Sequence, residues 1–167
     1  SSHRRQRQMC IRDRPCTARS RMRNLSDFKR DPAIVAQERE STRRHLEFSS
    51  KIAKWQYRAG RGFLLERPVG TGEVAEKEIQ TLLKLPGVAL VGVDMREHGL
   101  RIIKSDGNQS DLVRKSSVII TNMPTVAEAI ATKCSHPVHK HHQLVGGGDT
   151  RQAALYSDGF IDAILRG

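Results

Sequence analysis

Apolar residues recur with a helical period over the first long patterned segment of the chain. They fall at i, i+4, i+7 and i+11, the spacing of one stripe on an amphipathic helix. The residues of this stripe are Phe48, Ile52, Trp55 and Ala59. Asp31 and Pro32 suit the first positions of such a helix, and Gly60 suits the position just after its end. The pattern therefore predicts one helix over residues 31–60, with this stripe as its apolar face.

The short apolar run 62–66 shows no alternation and is bounded by glycine and proline, and a second apolar run covers 88–95. Such runs are typical of strands that are buried on both faces of a parallel sheet. Between them, residues 73–85 have a helical pattern that Pro86-Gly87 ends. The inward positions of that helix are Val74, Ile79, Leu82 and Leu83.

The second half of the chain predicts two more strands and two more helices. The segments 99–105 and 115–122 flank a polar turn region with the sequence Asp106-Gly107-Asn108, a strong turn signal, and this arrangement predicts a hairpin. Helices are predicted over 124–133 and 151–165. Strands that alternate with helices early and form a hairpin late predict an α/β fold, with an open, doubly wound sheet and an antiparallel edge.

Charge and composition restrict the class of protein. The net charge is +11, and this basic surplus favours a polyanionic partner such as nucleic acid. Three cysteines at irregular spacing form no disulfide framework, which suits a reducing, intracellular compartment. No apolar run approaches the ~20 residues that span a bilayer, so no membrane partner is expected.

The first fourteen residues, "SSHRRQRQMCIRDR", have neither helical nor strand periodicity. They resemble the translation of sequencing-adaptor DNA, and we interpret residues 1–14 as a non-native tail. The alternative is a disordered basic arm that contacts phosphates. Residues 15–167 are then a partial α/β domain whose missing part is expected upstream.

Cys16 and Glu66 are candidates for chemistry at a shared site. Glu66 ends a predicted strand, and residues at the carboxyl ends of parallel strands line the ligand crevice of an open α/β sheet. A right-handed crossover through the long helix would bring Cys16 to the same crevice. A thiolate that adds to an electron-poor ring and an acid that contacts a ring nitrogen form a working catalytic pair.

The order of several short blocks resembles the methyltransferase-like segments of retroelement polyproteins, which are related to DNA cytosine-5 methyltransferases. The resemblance extends over about residues 15–167. Its blocks are "PCT" at 15–17, "GRGFLLERP" at 60–68, "LPGV" at 85–88, "TNMP" at 121–124, the Cys/His loop at 134–142 and "LVGG" at 144–147. It implies a Rossmann-like, methyltransferase-type sheet, of which this chain is the C-terminal part.

By this resemblance Cys16 corresponds to the nucleophile and Glu66 to the acid that contacts a flipped cytosine. S-adenosylmethionine is the implied cofactor of the intact parent, and its binding residues are expected upstream of Pro15, so the fragment alone is expected to be inactive. Thr17 stands where the family usually has glutamine, and Arg67-Pro68 stand where it has asparagine and valine. The alternative hypothesis is a non-catalytic basic α/β module that binds nucleic acid within a polyprotein.

Candidate nucleic-acid contacts are basic side chains near these blocks and in the Cys/His loop. They are Arg67, Arg101, Arg114, Lys115, His139, Lys140 and His141. The loop also contains weak candidates for zinc ligands, namely Cys134, His136, His139 and His142. Structural zinc sites usually join two separated pairs of ligands, and all of these residues lie in one short segment, so no metal is predicted.

Overall fold

The computed structural model describes residues 27–69, 76–104, 106–133, 135 and 152–167 of the 167-residue chain. Within these ranges the protein has a mixed α/β fold with four helices and one three-stranded sheet. The elements in chain order are α1 (Pro32–Arg58), β1 (Leu64–Pro68), α2 (Lys77–Leu83), β2 (Ala89–Asp94), β3 (Ser116–Thr121), α3 (Pro124–Ile130) and α4 (Asp158–Arg166). None of the described helices combines the length and the apolarity that crossing a bilayer requires.

The long helix begins and ends where the sequence predicts. The side chain of Asp31 caps the start of α1, because one of its carboxylate oxygens accepts a hydrogen bond from the backbone N–H of Ala33 at 2.8 Å. At the other end Gly60 has a positive φ of 67°, and the backbone N–H of Arg61 donates to the carbonyl of Gln56. This glycine-centred closure satisfies the last carbonyls of α1 and turns the chain toward the sheet.

The predicted apolar face of α1 is wrong. Phe48 is 60% exposed and Trp55 is 57% exposed, whereas the helix buries Thr42, Leu46, Ser49, Ser50 and Ala53. The buried hydroxyls are satisfied: Thr42 and Ser49 each donate to the carbonyl four residues earlier, and Ser50 donates to the carbonyl of Glu78 in α2. Small side chains on this face let α1 lie close to the sheet and to α2.

The three strands form an antiparallel sheet in the order β1-β3-β2. Leu65 pairs with Ile120 and Val91 pairs with Ile119, so β3 is the central strand, and β1 and β2 run in the same direction on either side of it. The prediction of parallel strands buried on both faces is wrong for these segments. Burial alternates along β1, and the first residues of β2 are exposed, as in a sheet with an edge on each side.

Each face of the sheet covers its own hydrophobic cluster. On the side of α1 and α2, Leu65 and Ile120 pack with residues of both helices; the buried members of this cluster are Leu46, Ala53, Phe63, Leu65, Ile79, Leu82 and Ile120. On the other side, Val93 and Ile119 pack against α3 and α4, and the members with the largest side chains there include Met95, Ile102, Ile130 and Phe160. The sheet thus separates α1 from α3 and α4.

The predicted edge hairpin between 99–105 and 115–122 is also wrong. The segment 115–122 supplies the central strand β3, and its partners are β1 and β2. The turn at 106–108 does form, with φ of 82° at Gly107 and a hydrogen bond from the backbone N–H of Asn108 to a carboxylate oxygen of Asp106. It closes a small loop around the bridge between Ile103 and Gln109, inside the connection from β2 to β3.

The other helices are shorter than the sequence predicts, although their positions agree. The helix predicted over 73–85 is described as Lys77–Leu83, with Ile79 and Leu82 fully buried. Val74 lies outside the described residues. The helix predicted over 124–133 is α3, which ends at Ile130, and the helix predicted over 151–165 corresponds to α4, which begins only at Asp158.

Two of the sequence blocks meet next to the sheet. Asn122 accepts a hydrogen bond from the backbone N–H of Phe63 and donates to the carbonyl of Arg61, both at 2.9 Å. The hydroxyl of Thr121 donates to the carbonyl of Phe63 at 2.7 Å. The "TN" of 121–122 therefore acts as a side-chain clamp on the segment that joins α1 to β1, and it fixes where α1 ends relative to the sheet.

Candidate nucleic-acid interface

Glu66 lies in the middle of β1 and is half-buried. Its Oε1 accepts a hydrogen bond of 2.7 Å from the hydroxyl of Ser117, a fully buried residue of β3. The register pairs Glu66 with Ile119, so its side chain lies on the sheet face that carries α3 and α4. The carboxylate is thus held against the sheet by a neighbouring strand.

Arg67 lies on the opposite face of the sheet and is 3% exposed. Burial lowers the pKa of His45 in α1, and the guanidinium charge of Arg67 lowers it further. Glu66 and Arg67 are therefore not brought together at one site. The burial of Arg67 separates it from the exposed basic residues that a phosphate or a base could reach.

The remaining described candidates lie beyond β2, in and after the connection to β3. Arg101 and Arg114 are exposed, and Arg101 donates a hydrogen bond of 2.7 Å to the carbonyl of Ser110. Lys115 is half-buried: its Nζ donates to the carbonyl of Ala153 and lies 5.7 Å from the ring centroid of Tyr156. Lys115 thus holds the turn that precedes α4, while the two arginines are available to solvent.

The candidates in the N-terminal segment and in the Cys/His loop lie outside the described residues. They are Cys16, Cys134, His136, His139, Lys140, His141 and His142. Among the residues that the structure does describe, no three or more histidine, cysteine or acidic side chains are grouped as a metal site would require.

An open groove of about 440 Å³ lies between the turn after β2 and α4, with Glu97, His98 and Arg166 in its lining. His98 is 9% exposed, and its ring packs edge-on against Phe160, with its Nε2 3.3 Å from the hydroxyl of Thr132. The carbonyl of His98 accepts a hydrogen bond from Ser157 at 2.6 Å. These contacts join α4 to the turn, and we assign His98 a structural role.

A surface that the sequence interpretation missed lies on α1. Carboxylates of the first half of this helix neutralise nearby arginines: Arg30, which precedes α1, pairs with Glu38 at 2.7 Å, and Arg43 pairs with Glu40 at 2.8 Å. Arg43 also contacts Glu47, and Arg44 contacts Glu40 at 3.1 Å. Positive charge in this half is therefore balanced by nearby carboxylates, which for Arg43 and Arg44 lie about one helical turn away.

The second half of α1 has no such balance. Four basic residues and no acidic residue occur between Phe48 and Gly62; the basic ones are Lys51, Lys54, Arg58 and Arg61. Over the described ranges, none of these four cations forms an ion pair with a carboxylate. Lys51, Arg58 and Arg61 are exposed and Lys54 is half-buried, so this end of the helix presents uncompensated positive charge to solvent.

Aromatic rings lie among these charges. The guanidinium carbon of Arg61 is 5.3 Å from the ring centroid of Trp55, within the range of a cation–π contact. We call the surface formed by Phe48, Lys51, Trp55, Arg58 and Arg61 the aromatic–basic face. In the sequence this face corresponds to a run of basic and aromatic residues without carboxylates. A search for apolar periodicity counts its aromatic residues as apolar and therefore assigns them to the core.

Comparison of the chain with protein-family models, with curated proteins and with solved structures gives no match. The functional argument therefore depends on the residues and geometry described above.

Proposed function

We propose that this chain is a basic α/β module that binds nucleic acid. The observation that carries the proposal is the positive charge at the C-terminal end of α1, which pairs with no carboxylate of the described residues. A phosphate backbone that contacts such a surface releases its condensed counterions, which supplies binding free energy without sequence specificity. Cations that are already paired, such as Arg43, contribute less because a carboxylate competes for them.

The first test is the salt dependence of binding by the full chain to a labelled DNA duplex and to a single strand. The double variant Lys51→Glu/Arg58→Glu is expected to weaken binding about tenfold or more and to reduce the slope of log K against log salt by about 2, because two phosphate contacts are lost.

The matched comparison is Arg101→Glu/Arg114→Glu, which changes the net charge by the same amount in the connection between β2 and β3. If this pair weakens binding as much as the pair in α1, the effect is one of total charge and the interface is not on α1. If neither nucleic acid binds the wild-type chain in a salt-dependent manner, the proposed function is wrong.

A methyltransferase-like origin within a retroelement polyprotein is the second candidate. Its support is the order of sequence blocks from 15 to 147 and the half-buried carboxylate of Glu66, which Ser117 holds in place. This second candidate also implies that the complete domain has a doubly wound, Rossmann-like sheet. In its favour, β1 and β2 run in the same direction and are joined through α2, as strands of a βαβ unit are.

In the intact parent, the thiolate of Cys16 would add to C6 of a flipped cytosine while Glu66 contacts the ring nitrogen. The resemblance assigns the methyl donor, S-adenosylmethionine, to sequence upstream of Pro15, so the described residues perform no step that involves it.

The nucleophile can be tested without a methyl donor. Addition of a thiolate at C6 lets C5 take up a solvent proton, and loss of the original hydrogen from C5 followed by elimination of the thiolate regenerates cytosine. For the intact parent, this candidate predicts that tritium release from an oligonucleotide labelled at C5 of cytosine is abolished by Cys16→Ala, reduced by Glu66→Gln and unchanged by Cys134→Ala. Release that is the same in all three variants would contradict a nucleophilic role for Cys16.

A further inference from the structure

The aromatic–basic face lies on the side of α1 opposite to the buried side. At 100° per residue, Phe48 and Trp55 point away from the direction in which Leu46 and Ala53 face the sheet. Both aromatic rings are more than half exposed. Exposed aromatic residues that share one stripe of a helix indicate a binding surface more strongly than scattered ones do.

The spacing along this stripe suits a chain of nucleotides. Phe48 and Trp55 are seven residues apart, which corresponds to about 10 Å along the helix axis. Stacked nucleotides of one strand advance about 3.4 Å each, so the two rings are separated by roughly three nucleotides. Lys51 lies between the rings, and Arg58 lies one turn beyond Trp55, so positive charge accompanies both ring positions.

We propose that the aromatic–basic face binds single-stranded nucleic acid, with bases stacked on Trp55 and Phe48 and phosphates on the neighbouring cations. This inference rests on the proposed function and deepens it by naming the form of the ligand. A duplex keeps its bases stacked inside and offers an exposed ring only phosphates and grooves, whereas a single strand can place a base on the ring. Arg61, which already lies over Trp55, extends the flat surface on which a base can stack.

Charge decides between nucleic acid and an apolar protein partner. The segment from Phe48 to Gly62 contains four cations and no carboxylate, so an uncharged protein surface would leave these cations uncompensated when it covers the stripe. A polyanion with unsaturated rings matches both features at once. Stacking of this kind tolerates any base, because every base has a π-face.

Trp55 is the single tryptophan of the chain, so its fluorescence reports the site directly. We would titrate the full chain with a DNA strand and an RNA strand of about 10 nucleotides, with an abasic strand of the same length, and with a duplex. The base-containing strands are expected to quench the fluorescence. The abasic strand is expected to bind with a similar salt slope and with little quenching.

The variants are compared by the anisotropy of labelled strands. Trp55→Ala is expected to weaken binding of the base-containing strand about 5- to 150-fold, to leave abasic and duplex binding unchanged, and to leave the salt slope unchanged. Trp55→Phe is expected to restore most of the affinity because a ring remains. The matched control is Phe28→Ala, which removes another exposed ring with a cation over it, the Nζ of Lys29 at 5.5 Å.

The outcomes separate this inference from the proposed function. If nothing binds, both fail. If strands bind with a salt slope but Trp55→Ala has no effect, or if Phe28→Ala has an equal effect, the proposed function stands and stacking on this face is overturned. If Trp55→Ala instead converts an oligomer of the wild-type chain to a monomer in sedimentation and leaves strand affinity unchanged, a second copy covers the stripe and the inference is wrong.

Discussion

Replacing Leu46 by alanine is expected to lower the free energy of unfolding by about 2–5 kcal/mol, whereas Phe48→Ala is expected to change it by less than about 0.5 kcal/mol. Leu46 is 2% exposed and lies in the cluster between α1, α2 and the sheet. Its truncation leaves a cavity that the close-packed neighbours fill only in part, while Phe48 loses few contacts because most of its ring is in solvent.

The measurement is urea unfolding followed by circular dichroism, with both variants compared with the wild-type full chain. The two residues lie two positions apart on one helix, so differences in helix propensity are small against the expected gap. If Phe48→Ala costs as much as Leu46→Ala, the stripe predicted from the sequence is buried and the orientation of α1 described above is wrong.

The orientation of α1 could not be obtained from apolar periodicity because its buried face is built largely from polar residues. Thr42 and Ser49 become compatible with burial only when their hydroxyls donate to the preceding turn, and Ser50 only when α2 supplies an acceptor. These hydrogen bonds cannot be predicted before the position of the helix in the fold is known. The ends of the helix depend on local chemistry, at Asp31 and Gly60, and for that reason they agree with the prediction.

In the sheet, too, the positions of the strands follow from local sequence, whereas their pairing depends on residues far apart in the chain. The predicted strand segments 62–66, 88–95 and 115–122 each overlap a strand, because β-propensity is a local property. Their pairing is not local. The segment 115–122 finds partners on both sides, and one of them, β1, lies about fifty residues earlier. The local pattern of a strand does not determine which strand is central, so the predictions of a parallel sheet and of an edge hairpin are both wrong.

Some of the candidate site could have been placed more accurately from the sequence. Phe63, just before β1, and Leu65 and Arg67 in β1 are two residues apart, and this spacing alone indicates that Arg67 shares a face with two core residues. The role of Lys115 could not be obtained in this way, because its acceptor at Ala153 comes from a distant turn. The aromatic–basic face was visible as a run of cations without carboxylates, but its exposure depends on the orientation of α1.

The two faces of the sheet support different parts of the protein. On one side the sheet supports α1 through Leu46 and Ala53 and presents the aromatic–basic face outward. On the other side α3 and α4 complete the larger cluster, in which Met95, Ile119 and Phe160 are buried. A change confined to the second cluster should therefore alter stability without altering the surface that we propose as the binding site.

Phe160→Ala tests this separation with a large expected effect. Phe160 is fully buried, with ring centroids 5.3 Å from His98 and 5.1 Å from Tyr156, and we expect the free energy of unfolding to fall by about 3–5 kcal/mol. Its neighbour in sequence, Ile161, is 42% exposed and supplies the control, since Ile161→Ala should change stability far less.

Under conditions in which Phe160→Ala is folded, its affinity for single strands should equal that of the wild-type chain, because the sheet lies between Phe160 and α1. Gly159 shows how closely α4 is fitted there: a Cβ at this position would lie 2.6 Å from the carbonyl oxygen of His98, so α4 has little freedom to fill the space left by the ring. A loss of stability below about 1 kcal/mol would contradict this packing. A loss of strand binding by the folded variant would place the interface on α3 and α4 instead of α1.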